Sequence, residues 1–300
     1  MDRPPRAGQW LHAVRPRTLP VAVVPVVVGS AAAQARMGVF DPWIFFLAAA
    51  VALLIQAGTN LHNDVADFER GGDDPQVRIG PRRATAEGWL SPDQVRWGAV
   101  SCLGLALLIG LYLAVMGGWV VLLLGAASLS AAWGYSGGPW PISYSCLGEL
   151  FVWTFFGLVA VAGTFFLQTG GHVDGYAVAA GAIMGLPAAA VLVVNNTRDR
   201  DADRAIGRRT FAVVFGPLAS RVEYVLLVTL PVPAAMWLVA AIGGWAWLPL
   251  FAAPLSLLLV RDFRVGATGS AFNRLLAMTA AYELALGVLL SVALLTAYQA

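Results

Sequence analysis

Charge is what this sequence has least of. Across 300 residues only 12% are Asp, Glu, Lys or Arg, against 59% hydrophobic residues, whereas soluble domains carry roughly a quarter charged residues. That scarcity excludes a soluble globular domain and marks an integral membrane protein. No nucleic-acid partner is expected. Lysine is missing altogether, since each of the 19 basic residues is an arginine, a bias from which no function follows. Cysteine is nearly missing. Cys102 and Cys146 lie in or beside apolar runs, show no metal-ligand spacing and are too few for a disulfide framework, so both read as small core hydrophobes. The amino-terminal MDRPPRAGQWLHAVRPRTLP is basic and proline-rich, and the apolar run after it is only the first of many, so no cleaved signal peptide is expected.

What is abundant is apolar sequence in long runs. A spanning helix needs about 20 apolar residues, and candidates fall at 19–35, 43–61, 95–116, 119–135, 147–167, 176–194, 222–241, 245–260 and 275–295. The expected fold is therefore all-α and polytopic, with about nine transmembrane helices around a central cavity that opens to the cytoplasm, in a single domain over 1–300. The Gly117-Gly118 joint is so short that the helices on either side must form a tight hairpin. With the amino terminus inside, this count leaves Arg36 as the one arginine outside, a strong asymmetry of the positive-inside kind. The expected setting is the inner (plasma) membrane, in contact with membrane lipid, with a cytoplasmic amino terminus and an external carboxyl terminus. An internal duplication of a four-helix unit, 19–135 and 147–260, plus a final helix, would bring two polar helix ends to one mouth.

Those two ends are the exceptions to the scarcity of charge. NLHNDVADFERGGDDPQVRIGPRR, residues 60–83, closes one apolar run, and NNTRDRDADRAIGRRT, residues 195–210, closes another. Charge beside a membrane core is costly unless paired, hydrated or bound to an ion. Asp64 and Asp67 are three residues apart and Asp199 and Asp203 four apart, so on continuing helical turns each pair shares a face. Magnesium prefers hard oxygen ligands, often one or two carboxylates together with substrate phosphates, and two matched acid pairs suit a magnesium-bound diphosphate. Arg78, Arg82, Arg198 and Arg208 are the candidate phosphate forks, because a guanidinium fits that geometry better than an ammonium. A solvated, salt-bridged loop is the simpler account of such charge. Against it stand the recurrence of paired acids and the asparagines at 60, 63, 195 and 196, whose amides must line a cavity or find partners.

The motifs also carry a resemblance. RPRTLP at 15–20, NLHNDVADFERGGDD followed by RIGPRRA, YSGGPWP from Tyr135, GELFVWTFFGLVAVAGTFF from Gly148 and NNTRDRDADRAIGRRT occur in that order. Together they resemble the UbiA superfamily of intramembrane aromatic prenyltransferases, and within it the 1,4-dihydroxy-2-naphthoate polyprenyltransferase (MenA) family. The resemblance implies that Asp64, Asp67, Asp199 and Asp203 are catalytic, magnesium-binding acids. Asp73 stands two residues beyond Gly71, where many members place a third acid, and its role relative to Asp74 stays open. Val65 occupies a position that is often aromatic, and Arg208 one that is often lysine.

The resemblance further implies a magnesium-dependent prenyltransferase of menaquinone biosynthesis. The polyprenyl group would pass from its diphosphate to 1,4-dihydroxy-2-naphthoate, with loss of the ring carboxylate as carbon dioxide and formation of a demethylmenaquinol. Asn60, Asn63, Asn195 and Asn196 join the four arginines as substrate-binding candidates. Tyr135 would stabilise an allylic cation or orient the acceptor, or else serve as an interfacial tyrosine. Other acceptors, 4-hydroxybenzoate, homogentisate or a chlorophyll precursor, are disfavoured by RIGPRRA and YSGGP. A transporter would place its carboxylates at mid-depth, whereas these lie at a helix mouth. An assembly subunit would not need two matched acid clusters.

Overall fold

The computed structural model describes residues 4–72, 79–264 and 270–297. Asp73 and Arg78, proposed above as site residues, lie outside the described residues, as does Asp74. Every element among the described residues is helical: α1 Arg6–Val14, α2 Leu19–Met37, α3 Pro42–Glu69, α4 Pro92–Ser136, α5 Gly148–Val152, α6 Ala160–Gln168, α7 Gly175–Ala205, α8 Phe211–Thr229, α9 Pro231–Ala241, α10 Ala253–Asp262 and α11 Ser270–Ala297. A 3-10 turn, Pro16–Thr18, joins α1 to α2, a second, Ile142–Tyr144, lies between α4 and α5, and a third, Leu248–Ala252, runs into α10. Between α5 and α6 the helix widens into a π segment, Trp153–Val159.

Local chemistry sets the starts of these helices. Asp41 caps α3 by accepting from the N–H groups of Trp43 (2.8 Å) and Ile44 (3.3 Å), with Pro42 opening the first turn. Ser91 and Gln94 form a reciprocal capping box on α4, and Asp174 caps α7 through Ala177 N–H at 2.9 Å. Each cap satisfies amides that would otherwise be orphaned at a helix end.

The 45-residue α4 would be about 68 Å long if straight, far more than a bilayer core of about 30 Å. It is broken at Gly118, whose φ of 73° and ψ of −165° lie outside the helical region. Both of its ends meet the same end of α3: Arg96 pairs with Glu69, and Arg70 donates to the carbonyls of Ser136 and Gly138. Its middle meets the other end of α3, where Trp43 Nε1 donates to the Tyr112 hydroxyl at 3.4 Å. Thus α4 is a hairpin of two antiparallel limbs, which only a glycine at that φ allows without strain.

Seven helices among the described residues are long and apolar enough to cross a membrane. The expected count of nine is not reached on that measure. It takes the two limbs of α4 separately and includes the 245–260 segment, which folds as five residues of 3-10 helix and ten of α-helix and is too short to qualify. The 222–241 run is instead the later part of a longer apolar stretch, α8 with α9, that begins at Phe211.

Tight packing gathers the bundle around α7 and α11. A Cβ on Gly157 would stand 2.5 Å from the Gly181 carbonyl oxygen and 2.7 Å from Gly185 Cα, so the π segment and α7 touch backbone to backbone. Trp153 Nε1 closes that contact on the Ala182 carbonyl at 3.0 Å. Behind α7, Tyr282 donates to the Val228 carbonyl (2.8 Å) and the Tyr224 ring stacks on Phe263 at 4.4 Å. The outward faces carry exposed Trp97, Trp119, Val115 and Leu108, a surface suited to lipid rather than water.

Candidate functional site

The polar helix ends converge. α3 and α7 both finish at the face where α4 begins and ends, and between them opens a cavity of about 1130 Å³. Asp67, Asp199, Asp203, Arg82, Arg198 and Arg208 line its polar end. Its remainder is apolar, walled by Leu113, Leu124 and Gly125 of α4, Phe155 and Val159 of the π segment, and Leu167 of α6.

Arg208 joins the two acidic stretches. Its Nη1 donates to Asp203 at 3.1 Å and its Nη2 to Asp67, a residue 141 positions away. Asp67 also accepts from Arg83 Nη2 at 2.8 Å, a pair buried on both sides. Burial works against the Arg208 charge, but the Asp67 and Asp203 carboxylates outweigh it and hold the guanidinium above its ordinary pKa. The Tyr144 ring lies 4.8 Å from the Arg208 guanidinium carbon and 5.3 Å from that of Arg70, and the Tyr144 carbonyl accepts from Arg209 N–H at 3.0 Å. The loop after α4 is thereby fastened over the junction.

Asp64 takes a different part. Its carboxylate is buried and accepts from Ala84 N–H (3.0 Å), Thr85 N–H (3.1 Å) and the Thr85 hydroxyl. It does not line the cavity. Three residues on a helix turn a side chain by about 60° from its starting direction, enough to send Asp67 to the cavity and Asp64 to the segment that follows it. The expectation that both project from one face toward one ion therefore needs correction in the geometry: Asp64 anchors the 84–85 backbone.

The other candidates divide between cavity and scaffold. Arg198 is 2% exposed in its side chain and bonds to both oxygens of Asp199 (2.8 and 2.6 Å), to Asn195 (2.6 Å) and to Asn273 of α11 (3.0 Å). Asn273 in turn donates to the Ile79 carbonyl at 3.1 Å, so Arg198 also braces the loop that returns from α3. Arg82 sits 3.5 Å from Glu87, with its guanidinium 5.9 Å from the Trp89 ring centre. Asn60 donates to the Val14 carbonyl (2.9 Å) and Thr18 (3.1 Å), tying α3 to the α1–α2 joint, while Asn63 accepts from Ser136. Asn60, Asn63, Tyr135, Asn195 and Asn196 all face the cavity.

Arg83, Asn273 and Glu149 were not among the sequence candidates. Glu149, in α5, is buried, accepts from Asn196 Nδ2 at 2.8 Å, and has a second oxygen with no partner among the described residues. A lone carboxylate heading a long apolar run was the signal available in the sequence.

Among the described residues no group of three or more His, Cys, Asp or Glu side chains stands ready as a complete metal cage. The donor set nevertheless fits a hard divalent cation: Asp67, Asp199 and Asp203 present only carboxylate oxygens to the cavity, and such an ion commonly takes one or two carboxylates with its remaining ligands from water and phosphate.

An apolar helix bundle enclosing a chamber with carboxylates and guanidiniums at one end defines an intramembrane enzyme acting on a substrate with a charged head and a greasy tail. The sequence profile of the UbiA prenyltransferase family matches residues 22–272, and the chain belongs to that family. It is 38% identical over 263 residues to the 1,4-dihydroxy-2-naphthoate octaprenyltransferase of Mycobacterium tuberculosis, covering 87% of this chain and 88% of the relative. Its counterpart of the same name from Escherichia coli is 36% identical over 258 residues, with 83% of each chain covered. The solved structure of a UbiA homolog from Archaeoglobus fulgidus bound to DMAPP and Mg2+ superposes with a TM-score of 0.61 at 15% identity, covering 93% of this chain and 99% of that one. The fold is the same.

Proposed function

We propose that this protein transfers a polyprenyl group from polyprenyl diphosphate to 1,4-dihydroxy-2-naphthoate, with loss of the ring carboxylate as carbon dioxide, giving a demethylmenaquinol in menaquinone biosynthesis. The observation that carries the reading is one chamber with carboxylates and arginines at its polar end and an apolar remainder large enough for a hydrocarbon chain. Relatives that cover most of this chain and bear that name support the choice of acceptor.

Asp67, Asp199 and Asp203 would hold Mg2+, with Asp73 as a further candidate. When bound, the ion supplies positive charge to the diphosphate as the carbon–oxygen bond weakens. Arg208 and Arg82 offer guanidinium hydrogens to phosphate oxygens. Arg198 holds Asp199 in place through both of its oxygens. Asp64 keeps the Ala84–Thr85 backbone, and with it the adjoining Arg82 and Arg83, against the end of α3. The apolar walls exclude water from a prenyl carbon with cation character, and Tyr135 presents its ring on that wall. The arginine asymmetry supports a site open to the cytoplasm of a plasma-membrane protein.

The test is to incubate membranes containing the protein with labelled prenyl diphosphates and a panel of aromatic acids, and to identify products by mass. Prenylated naphthalenediol from dihydroxynaphthoate, dependent on Mg2+, is expected. Product from 4-hydroxybenzoate or homogentisate instead would overturn the acceptor assignment.

A further inference from the structure

Two consecutive asparagines in α7, nearly three turns before its end at Ala205, face the chamber with opposite polarity. Asn195 bonds to Arg198, and Asn196 to Glu149. A guanidinium can only donate, so the Asn195 atom it meets at 2.6 Å is the carbonyl Oδ1. On the other side the bond runs from the Asn196 amide Nδ2 to a Glu149 carboxyl oxygen at 2.8 Å. Asn195 is left with an NH2 group and Asn196 with a carbonyl oxygen, neither of which has a hydrogen-bond partner among the described residues.

The brace behind Asn196 is built from buried groups. Glu149 is 6% exposed and Asn196 9% exposed. Glu149 and Glu223 of α8 each have one buried oxygen without a partner among the described residues. Tyr135 lies on the same wall, its hydroxyl 3.9 Å from where a Cβ on Gly148 would stand. Glu149 itself does not line the chamber, so it acts through Asn196.

Building on the activity proposed above, we infer that Asn196, oriented by Glu149, reads a hydroxyl of the aromatic acceptor, while Asn195, oriented by Arg198, offers its NH2 to the anionic diphosphate. A carbonyl oxygen attracts an O–H donor and repels a phosphate or carboxylate oxygen, whereas an NH2 group attracts an anionic oxygen. Neighbouring residues thus sort the two substrates by the sign of their hydrogen bonds. A mis-sorted substrate leaves a buried polar group unpaired, and that loss, rather than the gain from the correct bond, supplies most of the discrimination. In this assignment Glu149 is a positioning residue and Asn196 the contact.

The experiment measures binding by the full chain in lipid nanodiscs with Mg2+, using 1,4-dihydroxy-2-naphthoate, 2-naphthoate lacking both hydroxyls, and farnesyl thiodiphosphate as an inert donor. Wild type should prefer the dihydroxy ring by roughly tenfold or more. Asn196→Ala and Glu149→Ala should each reduce that preference to about twofold, and the double variant should lose no more, because both remove one interaction. Farnesyl thiodiphosphate should bind all three within about twofold of wild type, which also reports that they are folded. Asn195→Ala should show the opposite pattern. Full retention of the hydroxyl preference in Glu149→Ala overturns the positioning role, and its retention in Asn196→Ala overturns the whole inference. If Glu149→Ala does not accumulate, Asn196→Ala decides alone. Wild-type turnover with dihydroxynaphthoate is measured first, so failure of the proposed reaction is seen separately from failure of the sorting pair.

Discussion

Arg208 bonds to Asp203, five residues before it, and to Asp67, 141 residues before it, with separate nitrogens of one guanidinium. This fork is the direct physical link between the two acidic stretches. It holds two carboxylates close in a setting where their mutual repulsion would otherwise be costly.

Arg208→Lys should therefore lower turnover although charge is kept, because an ammonium is a point charge and does not reproduce two directed bonds. Each lost charge-assisted contact is worth about 1–3 kcal/mol, which corresponds to roughly ten- to hundredfold in rate. Arg208→Gln should be worse and should also lower the thermal unfolding midpoint, since it leaves the buried carboxylates without a counter-charge. Kinetics of both variants at equal amounts of inserted protein test this. Normal rates with lysine would show that charge alone suffices.

Asp64 and Asp67 should separate by phenotype. Asp64→Asn loses a charged acceptor that serves two backbone amides and a hydroxyl, so thermal stability should fall by about 1–3 kcal/mol. The Mg2+ concentration for half-maximal turnover should stay within about twofold. Asp67→Asn and Asp199→Asn should raise that concentration by tenfold or more, on the order of 1.4 kcal/mol. A Mg2+ titration beside thermal unfolding in detergent distinguishes them. If Asp64→Asn shifts the Mg2+ requirement as strongly as Asp67→Asn, its loop-anchoring assignment fails.

Gly125 lines the apolar part of the chamber, and a Cβ there would meet nothing within 4 Å. Gly125→Phe should thus place a ring in the cavity without straining the helix. Long prenyl donors should lose about tenfold in kcat/KM, equivalent to about 1.4 kcal/mol, and short donors should be nearly unaffected. Product masses from donors of increasing length give the answer. An unchanged length profile would mean that the tail runs elsewhere.

Orientation can be read with a native probe. Cys146, expected above to be a small core residue, is instead exposed, in the loop after α4, at the same end as Arg70 and Arg208. An impermeant maleimide should leave it unlabelled in intact cells and label it after permeabilisation. A cysteine at Gly171, in a Cys146→Ser background, should be labelled without permeabilisation, because Gly171 lies near Asp174 and its partner Arg36 at the opposite end. The reverse pattern would invert the proposed topology.

The contrast between Asp64 and Asp67 shows what kind of information sequence carries here. Period and charge are local properties, so the long apolar runs, the glycine at the α4 turn, the arginine asymmetry and the ordered motifs determined an all-helical membrane enzyme and the stretches that form its site. Side-chain direction at a helix end depends instead on what returns to meet it. The segment from Ile79 to Leu90 folds back against α3, satisfying its own amides on Asp64 and leaving Asp67 to Arg83 and Arg208. Similarly, Arg198 reads from the sequence as a phosphate fork, and only the tertiary structure adds that Asn195 and Asn273, the latter 75 residues away, each accept one of the hydrogens Asp199 leaves it. Glu149 gained a partner only when α5 packed on α7. Apolar burial is decided by composition over a window, but a buried polar group is decided by its single partner, and that partner is supplied by tertiary structure.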